Sequence, residues 1–249
     1  MTAAARIRAN TGLQFAELAH LPAFTVPSLG LPLVTYLLFG LPSVHGRAGA
    51  AAAIFVSFAA FAVLGIVMFQ FGVGIAADRA SAWERYVRTL PASAAERFAA
   101  RLVVALVFAV ASLVPLVACA VAATPLRLDA ASWARVLVAL LLGSVPLGLL
   151  GIMLGYAVHE RGALPVTNLI YLPLSYAGGL FGTAPADLPA VARRISPWLP
   201  TRQWRDLLVD FGLGARFPVH ACLAIAGYGA AFAAVAVLAY RREEARQYR

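Results

Sequence analysis

The chain has 249 residues, of which 62% are apolar and 12% charged, with mean hydropathy +0.82 and a formal net charge of +9. A soluble domain carries about 25% charge and 45–50% apolar residues, and surface-to-volume scaling leaves a water-borne fold of this size too little interior to hide so much apolar surface. These values exclude an ordinary soluble globular domain and point to a lipid bilayer as the solvent. All twenty basic residues are arginine. A P-loop needs a lysine to reach the β- and γ-phosphates, so the chain carries no standard Walker A site and any ATP hydrolysis must come from another polypeptide. The arginines lie between apolar runs, which favours anionic lipid headgroups over nucleic acid as their partner. Cys119 and Cys222 fall inside apolar runs and read as small buried hydrophobes.

In residues 1–20, Ile7, Leu13, Phe15 and Leu18 are apolar, while Arg6, Arg8 and Glu17 are charged and Gly12 weakens the helix. The pattern predicts a short interfacial helix ahead of the first span. Gln14 and Glu17 interrupt the segment, so no cleavable leader is expected. Six uncharged runs follow, at 18–46, 48–77, 102–126, 136–159, 162–186 and 217–240. Each is at least about 20 residues, the length a helix needs to cross roughly 30 Å of hydrocarbon. None alternates as a membrane strand would. The expectation is therefore an all-α integral membrane protein with six transmembrane helices, in which 1–249 form one transmembrane domain. An even number of spans puts both termini on one side. The face holding the termini and the segment after the second run carries twelve arginines against eight, so the positive-inside rule places the termini in the cytoplasm. Pro22, Pro27, Pro32, Pro115, Pro146, Pro165 and Pro173 fall within the runs, where neighbouring helices can re-satisfy the freed carbonyls.

Residues 78–100 form the expected cytoplasmic loop after the second run. It holds two capping boxes, Ser81 with Glu84 and Ser93 with Glu96. The first starts a short helix with Trp83, Val87 and Leu90 on one face, and Glu84 and Arg88 pair at i,i+4 on the other. Pro91 ends it. The second box starts the third span. The apolar face of the short helix has two possible destinations: the lipid surface, or a groove on a partner protein.

Residues 183–211 read as a hairpin folded back at the opposite interface. Leu188, Val191 and Ile195 make one apolar stripe opposite Arg193 and Arg194. After Pro197 and Pro200, Thr201 is expected to cap a second short helix with Trp204, Leu207, Leu208 and Phe211 on one side. Trp198 and Trp204 suit the headgroup depth that indoles prefer.

This arrangement resembles the ABC-2 type permeases, the six-helix membrane subunits of bacterial drug, antibiotic and polysaccharide exporters. Three stretches carry the resemblance. Trp83-Glu84-Arg85-Tyr86-Val87-Arg88-Thr89-Leu90-Pro91 is similar to the family's Glu-Arg…Thr-Leu…Thr-Pro loop after the second helix. Asn168 through Phe181, with Pro173-Leu174-Ser175 inside it, resembles the fifth helix. Leu188-Pro189 through Ile195-Ser196-Pro197-Trp198-Leu199-Pro200 resembles the family's Leu-Pro…Asn-Pro-Leu-Thr segment, with Ser196 where the family often has Asn. The resemblance implies a homodimer, or a heterodimer with a similar subunit, joined to two copies of an ABC ATPase that hold the ATP and magnesium. It implies a multi-pass protein of the bacterial inner membrane. The helix at 81–90 would be the coupling helix, with Ser81, Trp83, Glu84, Arg85, Val87, Arg88 and Leu90 receiving the ATPase stroke, and 183–211 would be a re-entrant outer hairpin.

No enzyme motif or metal-ligand spacing emerges, so the chain is expected to be a transporter subunit that binds no cofactor itself. No charged side chain falls within a run, whereas ion-coupled transporters usually place one there. Phe58, Phe61, Phe69 and Gln70 in the second run, and Asn168, Tyr171, Ser175 and Tyr176 in the fifth, fit two readings: a lining for an apolar or amphipathic cargo, or packing and hydrogen bonding between helices. The rival functions are a polysaccharide or ion exporter permease and a non-transporting membrane scaffold.

Overall fold

The computed structural model describes residues 8, 10–16, 20, 22–44, 48–81, 94–182, 188–214 and 216–247, and every regular element among them is helical. The six uncharged runs all fall on helices. The first carries α1 (Pro22–Thr35), a π-helical turn (Tyr36–Gly40) and the short α2 (Leu41–Ser43). The second carries α3 (Ala48–Met68), a second π turn (Phe69–Val73) and α4 (Gly74–Ala80). Then come α5 (Ala94–Ala123), α6 (Ala130–Ala157) and α7 (Glu160–Ala177). The hairpin region holds α8 (Ala190–Ile195), a 3-10 turn (Ser196–Trp198), α9 (Pro200–Leu207) and a third π turn (Leu208–Gly212), and α10 (Val219–Gln247) closes the chain. Residues 10–16 are helical, in line with the short helix expected before the first span.

Among the described residues, four helices are long and apolar enough to cross a membrane: Gly49–Ala80, Phe98–Ala123, Ala130–Ala157 and Val219–Glu243. The first apolar helix is shorter by the same measure, at Ser28–Ser43. Helix α7 has 18 residues, about 27 Å at 1.5 Å per residue, and it opens with the charged Glu160 and Arg161.

The Gly49–Ala80 helix is the axis of the bundle. Its apolar window is 83% buried, against 17% for α10. It is covered by α1, α5, α6 and α7, while α10 packs on the far side of α6. A helix apolar all round needs either protein or lipid on every side; α3 finds protein, and the others find protein on one side only. Their outer faces carry Leu38, Val110, Val145, Leu169 and Leu223, each more than half exposed. That continuous apolar exterior is what a lipid-embedded bundle presents.

Close approach between α3 and α6 depends on small residues, which let spanning helices touch backbone to backbone. A Cβ at Gly155 would lie 2.6 Å from the Phe71 carbonyl oxygen, 2.8 Å from Ile75 Cβ and 3.0 Å from the Gly72 carbonyl oxygen. Gly151 sits 3.1 Å from the Val67 carbonyl oxygen by the same construction.

Helix α6 starts at a true N-cap. Asp129 has extended backbone and its Oδ1 accepts the Ser132 N–H at 3.0 Å. The Ser132 hydroxyl, and after it that backbone bond, hold the Asp129 carboxyl below its ordinary range. A depressed folded-state value contributes stability that is present above the unfolded carboxylate range and is lost as pH falls through the folded value. Acidification below about pH 4 is therefore expected to remove this contribution in the parent protein. An Asp129→Ala variant should melt lower at neutral pH and lose less on acidification, as a pH series of thermal melts in detergent would show.

Candidate functional site

The expected coupling element lies mostly outside the described residues: Trp83, Glu84, Arg85, Val87, Arg88 and Leu90 fall there, as does Ser93 of the second capping box. Ser81 is described. It ends α4 with φ −71° and ψ 135°, the extended geometry an N-cap residue needs, and its N–H bonds back to the Ala77 and Asp78 carbonyls.

What flanks that element is well defined. Helix α4 ends in Asp78-Arg79-Ala80; the Arg79 side chain turns into the bundle, while Asp78, still about half exposed, pairs with α5. Arg101, on α5, is 9% exposed. Its Nη1 donates to the Gln70 carbonyl at 2.9 Å, and its Nη2 pairs with Asp78 Oδ2. The Gln70 carbonyl belongs to the π turn Phe69–Val73, where the wider helical turn upsets the regular backbone ladder, and the guanidinium supplies a donor. Gly74 makes room: a Cβ there would lie 2.8 Å from Arg101 Nη1. Asp78 and Arg101 thus join the two sides of the 82–93 segment.

Arg79 reaches the other way. Its Nη1 donates to the carbonyls of Gly155 at 2.9 Å, Tyr156 at 3.1 Å and Val158 at 3.4 Å, which end α6. Its Nε and Nη2 pair with Glu243 of α10 at 3.1 and 2.9 Å. The guanidinium also lies over the Tyr156 ring, 5.6 Å from its centre, a cation–π distance. A cation at a helix C-terminus meets both the orphan carbonyls and the negative end of the dipole.

Arg79, Arg101 and Glu243 lie outside the uncharged runs but within the membrane-length helices, which extend past the runs. The uncharged runs stop short because the helices run past them, from Ala77 on to Ala80 and back from Leu102 to Ala94. Charges at the end of a run are visible in a sequence; their turning inward to pair is not.

The candidate path residues divide into two groups. Phe58 and Phe61 are fully enclosed, and Gln70, Tyr171 and Ser175 are buried. Phe61 stacks on Tyr171 with ring centres 5.1 Å apart, and Phe69 meets the same ring edge-on at 5.6 Å. The Tyr171 hydroxyl donates to the Phe61 carbonyl at 3.2 Å, and the Ser175 hydroxyl to the Tyr171 carbonyl at 2.7 Å. Tyr36 and Phe181 extend the aromatic ladder through Phe58. Asn168 and Tyr176 lie toward the outer face of α7, Asn168 donating to the Leu164 carbonyl at 3.2 Å and Tyr176 being 41% exposed. Leu169, Leu172 and Leu164 share that face.

At the opposite end of α3 sits the hairpin. Arg205 of α9 donates from Nε to the buried Ser57 hydroxyl at 3.1 Å; Ser57 and Arg79 stand 22 residues apart on one continuous helix, roughly 33 Å. Burial, with Arg202 nearby, lowers the Arg205 guanidinium from its ordinary value, but a guanidinium stays protonated. Two expectations are corrected here. Trp204 does not lie on the outer surface of the bundle: it is fully buried, its Nε1–H donates to the Ala139 carbonyl at 2.9 Å, and the ring occupies the space over Gly143 that a Cβ would fill. Thr201 does not cap α9: Leu199 is the N-cap, with Pro200 at the first helical position, and the Thr201 hydroxyl donates instead to the Leu174 carbonyl of α7 at 2.7 Å. The expected stripe is also split, since Leu188 is buried while Val191 and Ile195 are exposed along with Trp198.

A family model described as ABC-2 type transporter matches residues 6–209, which takes in every helix from α1 to α9. No curated protein and no solved structure matches the chain significantly.

Proposed function

The chain belongs to the ABC-2 type transporter family, the membrane component of ABC transporters, and from that premise we propose that it is the permease subunit of an exporter powered by a separate ABC ATPase. A homodimer with two ATPase copies, in the bacterial inner membrane with both termini cytoplasmic, is the assembly this reading requires. All six apolar helices cross the bilayer in it, and the hairpin 183–211 is re-entrant from outside. Magnesium and ATP belong to the partner, since the chain has no lysine for a P-loop.

The observation that carries the reading is the continuity of the Gly49–Ala80 helix. It joins the segment expected to meet the ATPase to the aromatic ladder and then to the hairpin, without a break among its residues. Nucleotide binding that displaces 81–90 biases the equilibrium between two arrangements of the bundle. The cargo surface in this reading is the outer face of α7. It is apolar and aromatic, with Asn168 and Tyr176 as polar anchors and Phe58, Phe61, Phe69, Gln70, Tyr171 and Ser175 as the packed layer behind. Such a surface suits a hydrophobic or amphipathic substrate such as a drug, antibiotic or lipid.

Two measurements test this. Detergent extracts should yield a Walker-containing ATPase bound to the chain, and vesicles holding both should transport vectorially with ATP on one side; transport by the chain alone overturns the proposal. Trp83→Ala and Leu90→Ala should leave insertion intact while abolishing ATP-dependent export. Unchanged export in both would remove the coupling role of 81–90.

A further inference from the structure

Any displacement that enters at Ser81 must leave α4 by some physical connection, and the Arg79 cluster offers one that the function above does not use. This inference rests on the coupling reading of 81–90. We infer that Arg79 is a positioning residue for energy coupling: it ties the end of α4 to the last carbonyls of α6 and, through Glu243, to α10, so that these three helices move as one body.

The geometry supports a tie rather than a surface ion pair. Arg79 and Glu243 are each 18% exposed in their side chains, which limits the solvent screening that makes exposed pairs weak. The guanidinium is shared among three main-chain carbonyls and a carboxylate. A fixed planar fork is what allows several partners to be held at once. Helix α10 has little other hold on α4, since its packing partners are α6 and α9. The direct contact between α4 and α6 is already close at Gly155, with Ile75 opposite, and Arg79 bonds that same residue's carbonyl. Asp78, one residue earlier, pairs with Arg101 of α5. Adjacent side chains therefore fasten the end of α4 to opposite parts of the bundle.

The test uses the complex of the chain with its co-isolated ATPase, in a Cys119→Ala/Cys222→Ala background. Bimane is attached either at Ala80→Cys, the exposed end of α4, or at Leu238→Cys, exposed on α10. ATP addition should change the fluorescence at both positions in the parent. In Arg79→Gln and in Glu243→Gln the response at Ala80→Cys should persist, the response at Leu238→Cys should be lost, and ATP turnover should continue. A response at Leu238→Cys equal to the parent's in both variants overturns the inference. No response at Ala80→Cys in the parent overturns the coupling reading itself, and this inference with it. Should the glutamine variants fail to fold, Arg79→Lys keeps a cation against Glu243 but cannot span carboxylate and carbonyls together; it is expected to give a reduced response at Leu238→Cys, and a full response overturns the tie.

Discussion

Trp204→Ala is expected to cost about 3–5 kcal/mol of stability, the range for truncating a large buried aromatic. The ring is fully enclosed, and it holds α9 to α6 by filling the space above Gly143 and donating to the Ala139 carbonyl. Alanine leaves a cavity and drops that bond. The Thr201–Leu174 and Arg205–Ser57 bonds then remain to hold the hairpin. Thermal melts in detergent should show the loss. Trp204→Phe should recover most of the packing without the N–H. An alanine variant that melts like the parent would mean the hairpin is held by other contacts.

Gly155→Val is expected to reach or exceed the upper end of the roughly 1–3 kcal/mol seen for overpacked cores. The opposing atoms are the backbone carbonyls of Phe71 and Gly72 and the Ile75 Cβ, at 2.6, 3.0 and 2.8 Å from the first added carbon. Backbone cannot rotate out of the way as a side chain can, so α4 and α6 must separate, pulling the Gly155 carbonyl from Arg79. Gly148→Ala is the matched control. Its nearest neighbours are Phe71 ring atoms at 3.6 Å and beyond, and alanine favours a helix interior over glycine by about 1 kcal/mol. That variant should be neutral or slightly more stable. If the two substitutions proved equal by unfolding in mixed micelles, the close seam between α4 and α6 would be disproved.

How much of this was legible in the sequence depends on what a pattern can encode. Uncharged runs reported the helices well, because a bilayer tolerates few charges anywhere along a span. They stop short of the helix ends, since Asp78, Arg79 and Arg101 are charged and held by ion pairs to neighbouring helices. Of the stripe Trp204, Leu207, Leu208 and Phe211, the first three are buried and Phe211 is partly buried against the same core. Periodicity names a face without naming its cover, so the same stripe fitted a lipid interface and the protein surface of α6 equally. Thr201 followed the residue preference for N-caps, but a proline at the next-earlier position set the helix start at Leu199. The spacing of Gly143, Gly151 and Gly155 was the available signal for a close helix seam.

The π turn at Phe69–Val73 has a consequence for insertions and deletions. An α-helix turns about 100° per residue, but a π turn takes up one extra residue in its wider loop, so removing one residue there, and letting an ordinary α-helix re-form, would leave all that follows close to its present facing. Asp78 would still face Arg101 and Arg79 the end of α6, and everything before Phe69 would keep its setting. A single-codon deletion within these five residues should thus be tolerated far better than one in the regular α-helical turns on either side. The same deletion a few turns earlier would instead mis-phase the aromatic ladder.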